Sequence, residues 1–349
     1  MSSFPGLDPG LGARPVTVTT PTPATNGDDR LCVIVNSGSG AREAERIARL
    51  RAAFARYFPA GRWSIVAGGP DRIVSQTRAA LAEGFGTVVA CGGDGTIAAV
   101  ADTLWSEGAA GVTRLGVIPA GTFNFFARGL GLPQEIEPAV AVLAGGFARP
   151  VQVGTVNGRV FLNNASIGLY PRILREREAI YRRWGRSRIA AHWSVLRTVV
   201  MMRGGMDLTI SDATGSWREH TPLAFVMNSP YQLDFLGIEG GERLRGGELA
   251  LLIAPETSLM AILRGALRLG ARRAERHVDY TIRFAPGFTI TPAKRRLLTA
   301  RDGERERMRT PLDYRALPGA LCVIGPEAVA RDAAPDPAPG GMRWGGALA

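Results

Sequence analysis

Short, largely apolar runs alternate with stretches of helical periodicity through the first half of this 349-residue chain. The runs Leu31–Asn36, Thr87–Ala90 and Arg114–Ile118 are too short for helices and have the apolar character of buried strands. The segments between them, such as Ala41–Phe58 and Ile97–Trp105, repeat apolar residues at helical spacing. This alternation predicts an α/β fold, with a doubly wound parallel sheet covered by helices on both faces.

The pattern changes after about residue 150, where short strand candidates follow one another closely. Two helical stretches interrupt them, near residues 172–203 and 258–276. We therefore expect a second, β-sandwich-like domain that carries helical insertions. The predicted division is a disordered leader at 1–29, the parallel-sheet domain at 30–150, the β-rich domain at 151–314, a return to the first domain at 315–326 and a disordered tail at 331–349.

The chain carries 42 basic and 31 acidic side chains, which gives a formal net charge of +11. Such a charge favours polyanionic partners, namely nucleic acid, acidic membranes or phosphorylated ligands. Almost all the basic residues are arginine, and the only lysine is Lys294. A Walker A loop and a protein kinase both need a lysine in a different sequence context, so both are excluded.

The cysteines Cys32, Cys91 and Cys322 are too few and too dispersed for a disulfide framework or a cysteine zinc site. The chain has no uncharged apolar stretch long enough for a transmembrane helix, and its first residues lack the layout of a signal peptide. We therefore expect a reduced, cytoplasmic location.

Glycine-bearing loops follow three of the predicted strands. The first is Asn36-Ser37-Gly38-Ser39-Gly40, between a strand and a helix. Glycines there let backbone N–H groups approach an anion, and the start of a helix favours negative charge. Position 43 is Glu43, so a dinucleotide fingerprint would lack its third glycine. An ordinary glycine-rich turn explains this loop equally well.

The second loop, Gly92-Gly93-Asp94-Gly95-Thr96, is longer than a tight turn needs, although a turn closed by Asp94 is the alternative. Its glycines leave backbone amides open to phosphate oxygens, Asp94 is a candidate magnesium ligand, and Thr96 caps the helix or binds a phosphate. The third loop, Pro119 to Asn124, contains Gly121 and Thr122. Ligands of open α/β sheets collect at the carboxyl ends of strands, so we expect the three loops to meet around the phosphates of a nucleotide.

A fourth motif, Asp302-Gly303-Glu304, ends the β-rich region. Paired acids beside a nucleotide supply a general base for an attacking hydroxyl and help to place magnesium. Asp-Gly is also a common hairpin signal, so a solvated turn is the alternative interpretation.

In this order, the motifs resemble the diacylglycerol kinase catalytic-domain family, which includes sphingosine kinases and bacterial lipid kinases. The resemblance extends over residues 30–326 and includes Asn163-Asn164-Ala165-Ser166-Ile167-Gly168 and a closing stretch from Pro311 to Leu321. It implies an enzyme that uses ATP and Mg²⁺ to phosphorylate the hydroxyl of a membrane lipid, with diacylglycerol as the default acceptor. It also implies that the β-rich domain holds that acceptor.

Carried over by motif, the resemblance implies site residues in both domains. Glu304 is the expected proton acceptor, with Asp302 beside it as a second catalytic acid, and Asp94 is the expected ligand of catalytic Mg²⁺. The implied nucleotide contacts are Asn36, Ser37, Gly38, Ser39, Gly40, Gly92, Gly93, Asp94, Gly95, Thr96, Ile97, Ala98, Gly121, Thr122 and Asn124.

Four places depart from the pattern of the family. Ser37 replaces a proline, Ala98-Ala99 replaces a polar pair, and Phe125 replaces an aspartate. Gly246 stands where some relatives have the aspartate of a structural magnesium site. We therefore expect that metal to be absent, or rebuilt with Glu248 as a replacement ligand.

The basic stretches near 172–203 and 258–276 interleave arginines with large apolar residues, which suits an anionic membrane surface. The alternative is that both helices only cover the β-rich domain. We expect peripheral association with the inner face of the membrane and no binding of nucleic acid, and a homodimer is left open. Two other functions stay open as well: an NAD-kinase-like enzyme for a soluble nucleotide, and a catalytically impaired protein that senses a nucleotide or a lipid.

Overall fold

The computed structural model describes residues 22–23, 29–37, 41–171, 205–255, 264–265, 268–269 and 271–326. The predicted tail lies outside these residues, as does the predicted leader apart from Thr22, Pro23 and Asp29. The basic stretch predicted at 172–203 also lies outside them, and so does about half of the stretch at 258–276.

The first half of the chain forms a parallel sheet between two layers of helices. Its elements are β1 (Thr22–Pro23), β2 (Leu31–Asn36), α1 (Ala41–Tyr57), β3 (Trp63–Gly68), α2 (Ile73–Ala82), β4 (Thr87–Gly92), α3 (Asp94–Ser106), β5 (Arg114–Pro119), α4 (Phe125–Gly129) and α5 (Ile136–Gly145). The strands β3, β2, β4 and β5 pair in that order, all parallel. Alternate residues of β4 face opposite sides: Val88 and Ala90 pack with α2 and α3, whereas Val89 and Cys91 pack with α1 and α5. The predicted doubly wound sheet is confirmed.

The second half is built mainly of antiparallel strands in two sheets. Its elements are β6 (Phe147–Val156), β7 (Arg159–Phe161), β8 (Asn164–Gly168), β9 (Met206–Asp212), β10 (Gly215–Thr221), β11 (Leu223–Met227), α6 (Pro230–Phe235), α7 (Gly241–Arg245), β12 (Leu249–Ile253), β13 (Thr281–Ala285), β14 (Gly287–Pro292), β15 (Arg296–Arg301), β16 (Glu304–Arg309) and β17 (Leu312–Gly325). The smaller sheet has the order β13-β12-β11-β8-β15-β16. Its inner face packs against the other sheet through a shared core that includes Ile167, Val226, Ile290 and Tyr314, so the predicted sandwich-like architecture is confirmed.

The long strand β17 joins the two halves. It pairs antiparallel with β6 and β14, and its end pairs parallel with β5 at Val323 and Leu115. One eleven-stranded sheet therefore runs through both halves of the protein. Strand β6 also crosses the predicted boundary at residue 150, so the division into two domains stays a prediction.

Several helices differ from the sequence-based prediction. Helix α3 starts at Asp94 rather than at Ile97, because Gly93 has extended backbone angles and serves as the N-cap. Helices α5, α6 and α7 are absent from the sequence-based prediction. None of the helices in the described part of the chain is long and apolar enough to cross a membrane.

Candidate active site

The second and third glycine loops touch each other backbone to backbone at the ends of β4 and β5. The amide of Ala120 donates a hydrogen bond of 2.9 Å to the carbonyl oxygen of Gly92. A Cβ atom placed on Gly121 would lie 2.5 Å from the Cα atom of Gly93, which is closer than real contacts allow. Glycine is therefore required here for the approach of two backbones, and the predicted meeting of these two loops is observed.

The first turn of α3 faces this junction with no side chain capping it. Its N-cap, Gly93, has no side chain, so the first backbone N–H groups of the helix are left for another acceptor. Thr96, in the same turn, is buried, and its Oγ1 accepts a hydrogen bond of 2.9 Å from Nδ2 of Asn36. That bond ties the start of the first loop to the second. Ser37 follows in the described part, whereas Gly38, Ser39 and Gly40 lie outside it.

Asp94 joins three segments of the site. Its carboxylate accepts hydrogen bonds from the amides of Phe125 and Phe126, at 3.1 and 3.0 Å, and from Nδ2 of Asn163, at 3.2 Å. The side chain thereby caps α4 and contacts the loop that precedes β8. Asn163 was not assigned a role from its sequence, although it lies in the Asn-Asn motif, and its Oδ1 atom is buried without a partner.

Other predicted nucleotide contacts have side chains that serve the fold. Asn124 has a φ of 52°, and its amide group both accepts a hydrogen bond from the amide of Gly121 and donates one to the carbonyl oxygen of Gly121, at 2.9 and 3.1 Å. Ile97 and Ala98 lie in the core. Thr122, in contrast, is exposed at the tip of the third loop.

The Asp302-Gly303 pair forms the turn of the β15–β16 hairpin, with φ values of 45° and 89°. The carboxylate of Asp302 accepts hydrogen bonds from the amides of Leu162, Asn163 and Asn164 at 2.7, 2.7 and 3.1 Å. Burial raises the pKa of Asp302 to about 6; these amide bonds act to lower it, and the nearby Asp94 charge acts to raise it. Asp302 therefore lies in a hairpin turn, but its carboxylate is bound to the loop before β8 rather than solvated.

Glu304 is the first residue of β16 and is exposed. A Cβ atom placed on Gly95 would lie 3.3 Å from its Oε1 atom. A carboxylate from the smaller sheet thus lies beside the first turn of α3, which belongs to the parallel-sheet half. The second glycine loop and the Asp302-Gly303-Glu304 motif, which are distant in the sequence, are neighbours at this point.

A network of ion pairs next to the β15–β16 hairpin is absent from the sequence-based prediction. Asp102 is buried in α3 and accepts hydrogen bonds from Nε and Nη2 of Arg159, at 3.0 and 2.8 Å, and from the amide of Val160, at 2.8 Å. Arg301, next to Asp302, lies 3.5 Å from Asp102 and 3.3 Å from Glu306. A single acid within an otherwise apolar helical stretch is the signal that points to Asp102.

Phe125, which replaces an aspartate of the family pattern, forms an aromatic contact between the halves. Its ring stacks on Phe123, with centroids 5.4 Å apart and planes within 5°, and meets Phe235 edge-on at 5.3 Å. Tyr231, on the same helix α6, lies 6.4 Å away. The position therefore supplies apolar packing rather than a carboxylate.

The described residues contain no group of three or more His, Cys, Asp or Glu side chains placed to hold a metal ion. Mg²⁺ in phosphoryl-transfer sites usually binds one or two carboxylates together with substrate phosphates, and the Asp94 carboxylate meets that smaller requirement. Glu248, the expected replacement ligand, forms an ion pair with Arg243 through two hydrogen bonds of 2.5 and 2.8 Å.

Burial raises the pKa of the Cys91 thiol to about 12, which excludes it as a nucleophile.

The chain is similar to known proteins in both sequence and fold. Residues 30–156 match the family model for the diacylglycerol kinase catalytic domain. The chain is 45% identical over 124 residues to a "Probable lipid kinase YegS-like" protein of Pseudomonas aeruginosa strain UCBPP-PA14, a match that covers 34% of this chain and 39% of that protein. It is 47% identical over 99 residues to the diacylglycerol kinase of Bacillus subtilis strain 168, covering 28% of this chain and 32% of the relative.

The matched segment thus spans less than two fifths of the length of these relatives. The fold is similar over a longer range to the crystal structure of a diacylglycerol kinase from Bacillus anthracis str. Sterne. That match has a TM-score of 0.60 and 19% identity, and it covers 85% of this chain and 97% of the other. The resemblance inferred from the motifs is confirmed for residues 30–156. Over the rest of the chain, the comparison shows a similar fold.

Proposed function

We propose, from the premise that residues 30–156 form a diacylglycerol kinase catalytic domain, that this chain is an ATP-dependent lipid kinase. It would transfer the γ-phosphate to the hydroxyl of a membrane lipid, with diacylglycerol as the first acceptor to test. The observation that carries the proposal is the position of Glu304 beside the first turn of α3 at Gly95. A general base needs to lie within reach of the group that binds the phosphates, and these two elements meet.

In the proposed reaction, backbone amides at Gly93 to Gly95 and the exposed Thr122 bind the phosphates of ATP. Glu304 takes the proton of the acceptor hydroxyl as its oxygen forms a bond to the γ-phosphorus. The bond from that phosphorus to the bridging β–γ oxygen breaks on the opposite side, and ADP leaves. The protein's contribution is therefore positioning and charge stabilisation.

Asp302 and Asp94 act as positioning residues in this proposal. Each carboxylate accepts three hydrogen bonds, and together they attach the loop at Leu162 to Asn164 to the hairpin turn and to α3. Bound Mg²⁺, held by Asp94 together with the substrate phosphates, would neutralise charge that develops on the transferred group. Ile97 and Ala98 can contact the nucleotide only through their backbone atoms, because both side chains lie in the core.

The acceptor lies in a bilayer, so we also propose peripheral binding to the inner face of the membrane. The helical stretches predicted for this contact lie wholly or partly outside the described residues. The homodimer stays a prediction.

The test is to incubate the purified chain with labelled ATP, Mg²⁺ and a total lipid extract, and to separate the products by thin-layer chromatography. Glu304→Gln keeps the size of the side chain but removes the base, so we expect the rate of lipid phosphorylation to fall by roughly 10²- to 10⁴-fold. The matched control is Glu239→Gln, an exposed glutamate outside the site, which should retain the wild-type rate.

Three results would contradict the proposal. A wild-type rate in Glu304→Gln would exclude this residue as the base. Phosphorylation of NAD without any lipid product would favour an NAD-kinase-like enzyme. Binding of ATP in calorimetry with no phosphorylated product would favour a sensing protein. The hydrogen bonds that already occupy the carboxylates of Asp94 and Asp302 support that alternative.

A further inference from the structure

The outer edge of the smaller sheet is the strand β16, which begins at the candidate base Glu304. Acidic and basic residues alternate along it, so they point to opposite faces of the sheet. Glu306 lies on the inner side with the ion network, where Arg159 and Arg301 approach it at 3.6 and 3.3 Å. Arg307 and Arg309 lie on the other face and are exposed.

The neighbouring strand adds to the positive charge of that face. The register of the hairpin sets Arg296 directly opposite Arg309, and the half-buried Leu298 opposite Arg307. We name Arg296, Arg307 and Arg309 the arginine face; Lys294 and Arg295 extend it into the preceding turn, and both are exposed. Within the described part of the chain, no ion pair neutralises the three arginines.

This arrangement costs stability. Like charges directly opposite each other on adjacent strands repel, as Arg296 and Arg309 do. Charged residues on an edge strand also prevent pairing with other chains, but side chains of either sign serve that purpose. The arginine face carries a single sign, while the acids of β16 all lie on the inner face. A partner with negative charge explains that segregation.

We infer that the arginine face docks on an anionic phospholipid surface, an inference that rests on the proposed lipid kinase function. Along a strand that rises about 3.4 Å per residue, Arg307 and Arg309 lie roughly 10 and 17 Å from Glu304. Three guanidinium groups on one face of two adjacent strands, beside the aliphatic Leu298, match a plane of phosphate headgroups. Docking there brings strand β16, which begins at Glu304, close to the bilayer, with the Glu304 side chain on the opposite face of the strand. The turn and strand residues 294–298 include no aromatic side chain, which single-stranded nucleic acid would use for stacking.

The test measures sedimentation of the full chain with vesicles of phosphatidylcholine alone and of phosphatidylcholine mixed with phosphatidylglycerol. The variant reverses all three charges: Arg296→Glu, Arg307→Glu and Arg309→Glu. Strand β16 stays charged in this variant, so it still resists pairing with strands of other chains. We expect wild type to bind only the anionic vesicles, and the variant to bind them roughly a hundredfold more weakly.

The matched control reverses three exposed arginines elsewhere, Arg49, Arg51 and Arg218, the last of them on the edge strand β10. It has the same net charge as the variant and should lose much less affinity. Equal loss in the two triple variants would overturn the docking site, because net charge alone would then explain binding. Binding of the wild type to an RNA strand but not to anionic vesicles would also overturn it. A single Arg307→Glu variant gives the same comparison if the triple variant does not fold.

Activity assays separate this inference from the proposed function. With diacylglycerol dispersed in neutral detergent micelles, the triple variant should phosphorylate at the wild-type rate, whereas with anionic vesicles its rate should fall with its binding. A wild-type chain that binds anionic vesicles through the arginine face but phosphorylates no lipid would retain the docking site and contradict the kinase. Loss of the micelle rate in the triple variant would assign these arginines to the hairpin's structure and overturn the docking site.

Discussion

The two halves of the candidate site contribute different kinds of groups. The parallel-sheet half presents backbone: Gly93 and Gly121 approach each other without side chains, and the first turn of α3 lacks a side-chain cap. The antiparallel half presents a carboxylate, Glu304, at the start of a strand. Backbone amides bind an anion without adding a titratable group, whereas a proton transfer needs one. The comparison indicates why a two-part site is required for phosphoryl transfer to a hydroxyl.

Within the antiparallel half, two carboxylates two residues apart have opposite surroundings. Asp302 accepts three backbone hydrogen bonds, whereas Glu304 is exposed beside Gly95. Different surroundings of neighbouring acids assign them different roles. Asp302 holds the loop before β8, and the exposed Glu304 is the carboxylate proposed as the base.

The largest expected effect comes from adding a methyl group to the backbone contact. In Gly121→Ala the Cβ atom would meet the Cα atom of Gly93 and the Oδ1 atom of Asn124 at 2.5 and 2.7 Å, so the two loops must separate. A displacement of about 1 Å at a reacting site costs on the order of 10²-fold in rate, and we expect kcat/KM for ATP to fall by that factor. Gly145→Ala, where a Cβ atom meets nothing within 4 Å, is the control. Unchanged kinetics in Gly121→Ala would mean that the loops do not hold the phosphates.

The second prediction concerns the pH dependence of stability through Asp302. Its pKa in the folded protein is about 6, above the value of about 3.9 for an unfolded chain, so the folded protein binds the extra proton between these values. The contribution of Asp302 to the free energy of unfolding is therefore largest below about pH 4 and is lost as the pH rises through 6.

This contribution is measured by comparing wild type with Asp302→Asn in urea titrations at several pH values. The difference in unfolding free energy between the two proteins should fall by up to about 3 kcal/mol from pH 3 to pH 7. Asp71→Asn, at an exposed carboxylate, controls for the loss of one charge. Parallel pH profiles for wild type and Asp302→Asn would contradict the role of burial at this site.

The sequence predicts the parallel-sheet half well because its signals are local. Strand β2 coincides with the predicted Leu31–Asn36, since a buried parallel strand is a continuous apolar run. The start of α3 was placed three residues late, because glycines in Gly92 to Gly95 conceal a helix whose N-cap is itself a glycine. Helix α5 has apolar residues around much of its circumference, so it gives little helical periodicity.

The hairpin that carries the candidate base was not predicted as strands, for a physical reason. In β16, five of six residues are charged, and only Met308 reaches the core. Its inner acid Glu306 is balanced by Arg159 and Arg301, and Arg159 in turn binds Asp102, 57 residues earlier in the chain. Ion pairs between distant residues leave no periodic signal, so the motif Asp302-Gly303-Glu304 located the turn but not its surroundings.

The smallest expected effect tests whether the aromatic contact helps to hold the two halves together. Phe125 and Phe235 meet edge-on at 5.3 Å, and aromatic pairs of this kind contribute about 0.5–1.5 kcal/mol beyond the area they bury. A double-mutant cycle with Phe125→Leu, Phe235→Leu and the double variant isolates this coupling in urea unfolding, because leucine retains the apolar volume. We expect a coupling energy of about 1 kcal/mol. A value near zero would mean that the continuous sheet through β17 holds the halves, and that Phe125 only fills space where the family pattern has an acid.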